Sequence, residues 1–512
     1  MSFARVYSAQ PAFPEADILS VETDLSKGLY SFAVVGLPDK AVEEARDRIS
    51  AAIKNSGFAS PKSANKKVVI SLAPADLRKE GPLFDLPMAL CYLLAADEMQ
   101  FDPEKKLFLG ELALDGGLRS VRGVLPAVLK AQREGFTEIY VPKENADEAA
   151  LVDGVTVFAV ETLKDVVEHL DITTPENKKR GFLTPHPRKE RVVSTHGQTV
   201  PDWSDIRGQE NAKRGLEIAA AGRHNIALYG PPGTGKTMLA QALIGILPEL
   251  SMDEALEVTA IHSLAGALTQ PLITQPPFRS PHHTSSYVAL VGGGTVPKPG
   301  EVTLAHKGVL FVDEFPEFDR RSIEALRQPL EDKVVHVSRA KGSVRFPANF
   351  ILVAAMNPTT GLSYDRINER ERERLNKKIS GPIVDRIDMW IEMQLVPHEK
   401  LAAPEKEHSH EVRARVARAR DAQRMRFEKT GRSLTTNSEM TVRDIDTLAL
   451  LSAETRTALD AAAAKHSLSP RSYHRVIKLA RTIADLDGVD TIETHHIMEA
   501  LQYRPRKDMF GV

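Results

Sequence analysis

The chain has 512 residues, which is enough for about three domains. Its 67 basic and 69 acidic residues leave a formal net charge of −2, so any surface for a polyanion has to be local. Cys91 is the only cysteine, which excludes a disulfide framework and any metal site built from several cysteines. The sequence has no basic-then-apolar leader and no uncharged stretch of ~18 residues, and we expect a cytoplasmic protein that does not enter membranes.

The first 170 residues alternate apolar runs typical of strands with segments of helical periodicity. Asp39 is the predicted N-cap of the first helix. Strands are predicted at 4–8, 18–22, 30–35, 67–71, 107–109, 138–141 and 155–159, and helices at 41–55, 86–96 and 162–170. This alternation predicts an α/β domain over residues 1–170.

Two segments of this domain resemble the Lon protease domain. Residues 78–87 resemble the Lon loop that carries the nucleophilic serine, and residues 110–120 resemble the loop with its lysine base. The serine position holds Leu83, which has no nucleophile, and the lysine segment reads Arg119-Ser-Val121. A serine–lysine dyad needs a neutral amine as base, whereas arginine stays protonated in proteins. The resemblance therefore implies a Lon-like (S5 domain 2-like) fold without the dyad and without protease activity.

Residues 171–204 lose the apolar periodicity of the flanking segments and carry four prolines. Basic clusters at 178–180 and 188–191 could contact nucleic acid, but a solvated linker is the better interpretation.

Residues 225–237 contain the pattern around which the remaining sequence is arranged. An apolar run at 226–229 predicts a buried strand, and the residues after 237 have helical spacing. Between them the phosphate-loop pattern G-x-x-x-x-G-K-[ST] is matched at every fixed position by Gly230, Pro231, Pro232, Gly233, Thr234, Gly235, Lys236 and Thr237. Lys236 would contact the β- and γ-phosphates and the Thr237 hydroxyl would bind Mg²⁺, which predicts ATP and Mg²⁺ as cofactors.

Two further strands end in polar residues. The run 308–312 precedes Asp313 and Glu314, a Walker-B pattern in which Asp313 helps to hold Mg²⁺ and Glu314 polarises the attacking water. The run 350–355 precedes Asn357, which either senses the γ-phosphate or merely starts the turn before Pro358. This order of motifs resembles the AAA+ ATPases, in which such an asparagine is the sensor-1 residue.

The AAA+ resemblance extends to two arginine segments. Residues 379–388 match the segment with the arginine finger, so Arg386 would reach the ATP site of a neighbouring subunit in a ring. Residues 469–475 resemble sensor 2, with Arg471 as the first candidate and Arg475 as the second. Either of these two could instead be an ordinary surface ion-pair former.

Insertions at 277–284 and 292–301, together with a predicted hairpin at 331–347, resemble the magnesium-chelatase-related AAA+ proteins and most closely the ComM/YifB family. The predicted hairpin strands are 334–338 and 343–346. Membership would imply a homo-hexameric DNA motor of the kind used in branch migration during transformation. Positive charge along the hairpin makes Arg339, Lys341 and Arg345 the candidate DNA contacts, with a merely solvated hairpin as the alternative.

The segment 359–375 departs from this family, which commonly has four cysteines there, and the departure implies that no zinc is bound. Residues 396–512 have helical patterns and predict a lid domain. Within the lid, the arginine-rich stretch 410–429 is expected to be a solvated helix between subunits or one that faces DNA. His495 and His496 are adjacent, so we expect them on different helix faces and not as metal ligands.

The predicted domains are therefore a Lon-like domain at 1–170, a linker at 171–204, an AAA+ core at 205–395 and a helical lid at 396–512. The predicted activity is ATP hydrolysis coupled to DNA remodelling or translocation. The alternative is a chelatase-like or MoxR-like ATPase that remodels a protein or a metal-insertion complex, because the same ATP site would serve both functions.

Overall fold

The structure is a computed structural model that describes residues 2–12, 15–63, 65–77, 79–173, 183–188, 200–294, 298–339, 342–357, 378–397, 407–432 and 434–505. The chain divides into two compact units. The first unit comprises residues 1–193 and 255–273, and the second comprises residues 194–254 and 274–512. The four-part domain division expected from the sequence stays a prediction.

The first unit contains one large mixed sheet with helices. Its elements are β1 (Phe3–Gln10), β2 (Asp17–Lys27), β3 (Ser31–Val35), α1 (Lys40–Asn55), β4 (Lys66–Ala73), α2 (Asp85–Ala95), β5 (Lys106–Phe108), β6 (Glu111–Leu112), β7 (Leu118–Arg119), α3 (Val124–Arg133), β8 (Glu138–Pro142), α4 (Ala146–Ala149), β9 (Thr156–Val160) and α5 (Leu163–Leu170). The seven strands of the sheet follow the order β3-β4-β2-β1-β5-β8-β9. All seven predicted strands are present, and the α/β prediction for this region is confirmed.

Local sequence explains how these elements form. Strands β1, β2 and β4 tend to alternate buried and exposed residues because one face of the sheet covers the core. Helix α2 is apolar on almost every side and packs against β1, β2 and α1. The Asp39 side chain accepts a hydrogen bond from the Val42 N–H at 2.9 Å and caps α1, as the sequence predicted.

The second unit is built around a parallel sheet. Its elements continue with α6 (Glu210–Gly222), β10 (Ile226–Tyr229), α7 (Lys236–Ile246), α8 (Met252–Ala265, largely grouped with the first unit), β11 (Phe278–Arg279), α9 (Tyr287–Val291), β12 (Gly292–Gly293), β13 (Lys298–Pro299), α10 (Glu301–Leu304), β14 (Val309–Val312), α11 (Arg320–Ala325), α12 (Arg327–Asp332), β15 (Val334–Arg339), β16 (Gly342–Pro347), β17 (Ile351–Met356), α13 (Gly381–Val384) and β18 (Met389–Glu392). The C-terminal helices are α14 (Ser409–Lys429), α15 (Val442–Leu448), α16 (Ala453–His466), α17 (Pro470–Leu486) and α18 (Thr494–Gln502).

The parallel sheet has the strand order β11-β14-β17-β10-β18. Strands β10, β14 and β17 are buried at every residue, which explains why their sequences are apolar runs without alternation. The strands predicted at 226–229, 308–312 and 350–355 are confirmed. Because neighbouring parallel strands end at the same edge of a sheet, Gly230, Asp313 and Asn357 lie at one edge.

The arginine-rich helix α14 packs into the second unit, and the expectation of a solvated helix is wrong. Val412, Val416 and Phe427 are fully buried. Arg420 donates two hydrogen bonds, at 3.0 and 2.6 Å, to the Ala220 carbonyl near the end of α6. Long arginine stems can cover apolar contacts while their guanidinium groups bind helix-terminal carbonyls, which a count of charges does not reveal. No helix in the described part of the chain is long and apolar enough to span a bilayer.

Candidate active site

The phosphate loop, residues 230–237, begins where β10 ends and leads into helix α7. At Gly230 a Cβ atom would lie 2.2 Å from the carbonyl oxygen of Met393, so only glycine fits. Gly233 and Gly235 have φ angles of 79° and 89°, in the left-handed region that glycine adopts without strain. A Cβ atom at either position would meet nothing within 4 Å, so the loop borders open space. The loop and the start of α7 therefore suit an anionic ligand.

Lys236 lies inside this loop. Its Nζ donates to the carbonyl oxygens of Gly230 and Pro231 at 2.8 Å each, and it lies 3.3 Å from the hydroxyl of Thr234. Burial lowers the pKa of the Lys236 amine, and the negative charge of Asp313 opposes that shift. In these contacts the ammonium group has only neutral partners, so phosphate oxygens would be stronger acceptors for it.

Thr237 and Asp313 meet across the edge of the sheet. The Thr237 hydroxyl donates to Asp313 Oδ2 at 3.2 Å, although the two residues are far apart in the sequence. A hydroxyl and a carboxylate are hard oxygen ligands of the kind that Mg²⁺ prefers. Both residues fit the magnesium role predicted for them, and Thr237 is exposed toward solvent.

Glu314 has an unusual backbone and an unexpected neighbour. Its φ angle is 50°, and its N–H donates to Asp313 Oδ1 at 2.9 Å, which fixes the two acids relative to each other. Its Oε2 lies 3.3 Å from Nδ1 of His283. Sequence reasoning noted His283 only as part of the 277–284 insertion and assigned it no role. The contact places an imidazole next to the carboxylate that is predicted to polarise water.

Asn357 follows β17, the strand between β14 and β10. Its Oδ1 is buried and has no hydrogen-bond partner among the residues that the structure describes. A buried amide oxygen without a partner is unfavourable, so a ligand that supplies a donor would stabilise it. This geometry suits a residue at the tip of a strand that contacts bound water or nucleotide.

Gln209 is a site residue that the sequence analysis missed. Its Nε2 donates to the carbonyl of Thr234 in the phosphate loop at 3.1 Å and to the carbonyl of Gln394 at 2.7 Å. The amide therefore ties the loop to the segment after β18. Gln209 lies in the stretch 205–210 directly before α6, and no local pattern in that stretch indicates a contact with the phosphate loop.

The two arginine candidates share one carboxylate. Arg386, with a side chain 12% exposed, pairs with Glu331 through Nη2 and donates from Nη1 to the Pro382 carbonyl at 2.7 Å. Arg471 donates from Nη1 to the other oxygen of Glu331 at 3.2 Å. Glu331 was noted only as the residue that opens the hairpin segment, and its role as a shared partner was not predicted.

Arg475 has a different environment from Arg471. Its guanidinium group is largely buried, donates to the carbonyls of Asp385 and Ile387, and lies 3.4 Å from Asp388. These contacts hold the backbone on either side of Arg386. Arg475 thus supports this segment. The Arg471 side chain, in contrast, is 46% exposed and donates to no backbone carbonyl of a described residue.

The predicted hairpin is present. Strands β15 and β16 pair antiparallel from Val334↔Pro347 to Arg339↔Gly342. Arg345 is exposed on β16 and pairs in register with His336. Arg339 is placed here only by its backbone, and Lys341 lies outside the described residues, as does the cysteine-free segment 359–375.

Three family models match the chain. Their descriptions are "Magnesium chelatase, subunit ChlI" at residues 202–401, "Subunit ChlI of Mg-chelatase" at 21–145, and "Magnesium chelatase, subunit ChlI C-terminal" at 406–504. The chain is 43% identical over 513 residues to the competence protein ComM of Haemophilus influenzae, covering 98% of both chains. It is 42% identical to the protein YifB of Escherichia coli, covering 98% of this chain and 97% of YifB.

The chain belongs to the ComM/YifB family of magnesium-chelatase-related AAA+ proteins. The family resemblance predicted from the sequence is confirmed. Family membership indicates an ATPase that uses ATP and Mg²⁺, which agrees with the loop, the Thr237–Asp313 contact and the sheet edge described above.

The likeness to Lon is weaker and partial. Lon protease 2 of Bacillus subtilis is 30% identical over 173 residues, which cover 32% of this chain and 30% of the protease. In this ComM/YifB chain Leu83 is buried, and the exposed Arg119 lies 3.6 Å from Glu111. The Lon-like fold of residues 1–170 therefore stays a prediction.

Proposed function

We propose that this chain is a ring-forming AAA+ ATPase that couples ATP hydrolysis to DNA remodelling or translocation. The observation that carries the proposal is the convergence of the phosphate loop, the acidic pair and Asn357 at one edge of a parallel sheet, in a unit that also carries a basic hairpin. The similarity to a protein named for competence supports DNA as the substrate.

In the proposed ATPase reaction each residue has one task. Lys236 and the loop N–H groups bind the phosphates, while Thr237 and Asp313 hold Mg²⁺, which supplies positive charge at the phosphate oxygens. Glu314 accepts a proton from the attacking water through its carboxylate. Asn357 Oδ1 orients that water by accepting a hydrogen bond, which would also satisfy its buried oxygen.

Arg386 and Arg471 are proposed to complete this site in an assembled homo-hexamer. Arg386 would act on the ATP of a neighbouring subunit, and Arg471 would contact bound ATP as the sensor-2 residue. A guanidinium group forms paired hydrogen bonds with phosphate as it does with carboxylate, so both side chains can exchange Glu331 for a phosphate.

The hairpin is the proposed DNA-binding element. Arg345 is exposed, and Arg339 and Lys341 add two cations to the same hairpin in an otherwise nearly neutral chain. Contacts of this type bind phosphates without reading sequence and weaken as salt concentration rises.

A second function is favoured by the family models, which all describe magnesium chelatase subunits. In that case the same ATPase would remodel a protein or a metal-insertion complex. The ATP site does not separate the two proposals, because both use the same nucleotide chemistry.

The ATPase rate of the purified chain, measured alone and with single-stranded, duplex or branched DNA, separates them. We expect stimulation by DNA, a smaller stimulation in the Arg345→Ala variant, and an unchanged response in Arg443→Ala. Arg443 is an exposed arginine on α15 and serves as the matched control for loss of charge. Polyglutamate tests whether any polyanion suffices. An ATPase that responds equally to polyglutamate and DNA, or to neither, would contradict the DNA proposal.

We further propose that the first unit has no protease activity, because Leu83 and Arg119 occupy the positions of the dyad. Incubation with fluorescent casein in the presence of ATP should release no peptides, with an active Lon protease as the positive control. Peptide release that survives further purification would contradict this proposal.

A further inference from the structure

Glu331 joins three parts of the second unit. It lies on helix α12, and its two carboxylate oxygens bind Arg386 near α13 and Arg471 near the start of α17. Partial burial acts to raise the pKa of Glu331, but the hydrogen bond from Arg386 and the charges of both arginines outweigh it and lower the pKa. The Glu331 carboxylate is therefore ionised at neutral pH. The Nε atom of Arg386 is buried without an acceptor among the described residues, so this arginine has unused donor capacity.

Helix α12 and the hairpin form one body. The Lys333 N–H donates to the Pro329 carbonyl at 3.1 Å, and the Lys333 carbonyl accepts from the Ala348 N–H at 2.8 Å. These bonds join the end of the helix to both strands at the base of the hairpin. Val335 and Phe346 form a pair across the strands, and each is 1% exposed. A displacement of Glu331 would therefore be transmitted through Lys333 to the base of the hairpin.

We propose that Glu331 is a latch that couples the nucleotide site to the hairpin. Without a phosphate partner, Arg386 and Arg471 are held by the Glu331 carboxylate, and α12 is fixed against α13 and α17. When the arginines turn to phosphate groups, the carboxylate is released and the helix–hairpin body can move. This inference rests on the proposed roles of Arg386 and Arg471 as phosphate-contacting residues.

Competition between anions supports this mechanism. Carboxylate and phosphate groups can each accept paired hydrogen bonds from a guanidinium group. One guanidinium group cannot bond to both anions with the same N–H groups. Glu331 is 45% exposed and Arg471 is 46% exposed, so their contact can open without unpacking a core.

The first test follows the hairpin directly with a fluorescent label. His336→Cys places a thiol on the exposed side of β15. The native Cys91 is buried, and burial raises the pKa of its thiol to about 12, so it contributes little thiolate to the labelling reaction. Quenching of the label by iodide is then measured with and without a non-hydrolysable ATP analogue, in the otherwise unchanged full chain.

We expect the analogue to change quenching in the labelled protein. When Glu331→Gln is added to the labelled protein, quenching before nucleotide is added should equal that of the analogue-bound protein. The substitution should also abolish the nucleotide-dependent change in quenching. Asp332→Asn is the matched control, because Asp332 is the exposed neighbour on the same helix and forms no ion pair with a described residue. If Glu331→Gln retains the full change, or if the labelled protein shows none, the latch is refuted.

The second test separates a latch from simple support of the fold. In Glu331→Gln we expect a higher ATPase rate without DNA, a lower KM for ATP and the loss of stimulation by DNA, while Glu331→Asp keeps part of the stimulation. A lower ATPase rate with an unchanged ratio of the rates with and without DNA would refute the latch. It would show instead that Glu331 only supports the fold. If no DNA stimulates the unmodified chain, the DNA proposal fails, whereas the labelling test still decides on the latch.

Discussion

The Arg48–Asp85 ion pair gives the most direct test of how the first unit is held together. Asp85 is fully buried at the start of α2, two residues after Leu83. Arg48 on α1 donates to its two oxygens at 2.8 and 3.1 Å, and the Leu112 N–H adds a third bond at 3.2 Å. We predict that Arg48→Met destabilises the chain strongly, because it leaves a buried carboxylate with one donor.

The magnitude follows from the burial of Asp85. Burial raises the pKa of Asp85 to about 6, against the smaller opposing effect of Arg48. Its ionised form therefore already costs about 3 kcal/mol at neutral pH relative to the unfolded chain. Removal of one partner from a buried pair typically costs about 3–5 kcal/mol. In Arg48→Met/Asp85→Asn the carboxamide oxygen can still accept from Leu112, so most of this loss should be regained.

The contribution of Asp85 to the free energy of unfolding changes with pH in a definite direction. The pKa of Asp85 is higher in the folded chain than in the unfolded chain, so the folded state binds the proton more tightly. Its contribution to stability is therefore greatest below pH ~4 and is lost as the pH rises through about 6. Asp85→Asn should flatten this part of the stability profile.

Calorimetric unfolding of the full chain at pH 7.5 is the assay, and the expected loss corresponds to a decrease in Tm of about 10 °C for a unit of this size. ATPase activity at 25 °C serves as the folding control, because the pair lies outside the second unit. The reasoning is refuted if Arg48→Met unfolds within about 1 °C of the unmodified chain, or if the double variant is less stable than Arg48→Met.

Three further outcomes are expected. Lys236→Ala should lose nucleotide binding, whereas Glu314→Gln should bind nucleotide and not hydrolyse it. Equilibrium binding and single-turnover hydrolysis measure these two effects. Hydrolysis at the unmodified rate in Glu314→Gln would contradict the role of Glu314. Mixtures of Arg386→Ala and Lys236→Ala chains should regain ATPase activity if Arg386 acts across a subunit boundary, and co-assembled mixtures without recovery would exclude that arrangement. Replacing Arg339 and Lys341 with alanine should weaken DNA binding for all sequences, while basal ATPase activity persists. The slope of the logarithm of the binding constant against the logarithm of the salt concentration should fall by about one for each lost phosphate contact. Unchanged DNA affinity would place the DNA contact elsewhere in the chain.

Much of the fold and of the site could be predicted because local sequence patterns determine them. The buried strands before Gly230, Asp313 and Asn357 are apolar runs of the right length, and each is found where the pattern placed it. Parallel strands that end at one edge then bring Gly230, Asp313 and Asn357 together. No long-range information beyond the strand order was needed for this part.

The contacts that were missed all join residues that are distant in sequence or depend on side-chain direction. His283 meets Glu314 and Glu331 meets Arg386 only through the tertiary fold, so neither contact leaves a local pattern. His495 and His496 were expected on different faces because they are adjacent, yet their ring centroids lie 3.9 Å apart. Both rings also approach Asp487, because side-chain torsions can turn neighbouring rings to one side of a helix start.

This histidine pair has the spacing of metal ligands, but its hydrogen bonding opposes that role. Nδ1 of His496 accepts the Glu493 N–H at 2.9 Å, so a neutral ring carries its proton on Nε2. Burial lowers the pKa of His496, which favours this neutral form. A metal ion at Nε2 would need the position of that proton, and the capping bond at the start of α18 would have to break.

The closed base of the hairpin makes β15 and β16 a lever arm. Each strand has six residues, which corresponds to a length of about 20 Å. A rotation of the helix–hairpin body by about 10° about the base of the hairpin would carry the far end through about 3.5 Å, which is close to the ~3.4 Å spacing of nucleotides along one DNA strand. A small angular change at the base of the hairpin is thus amplified to the length of a single nucleotide step.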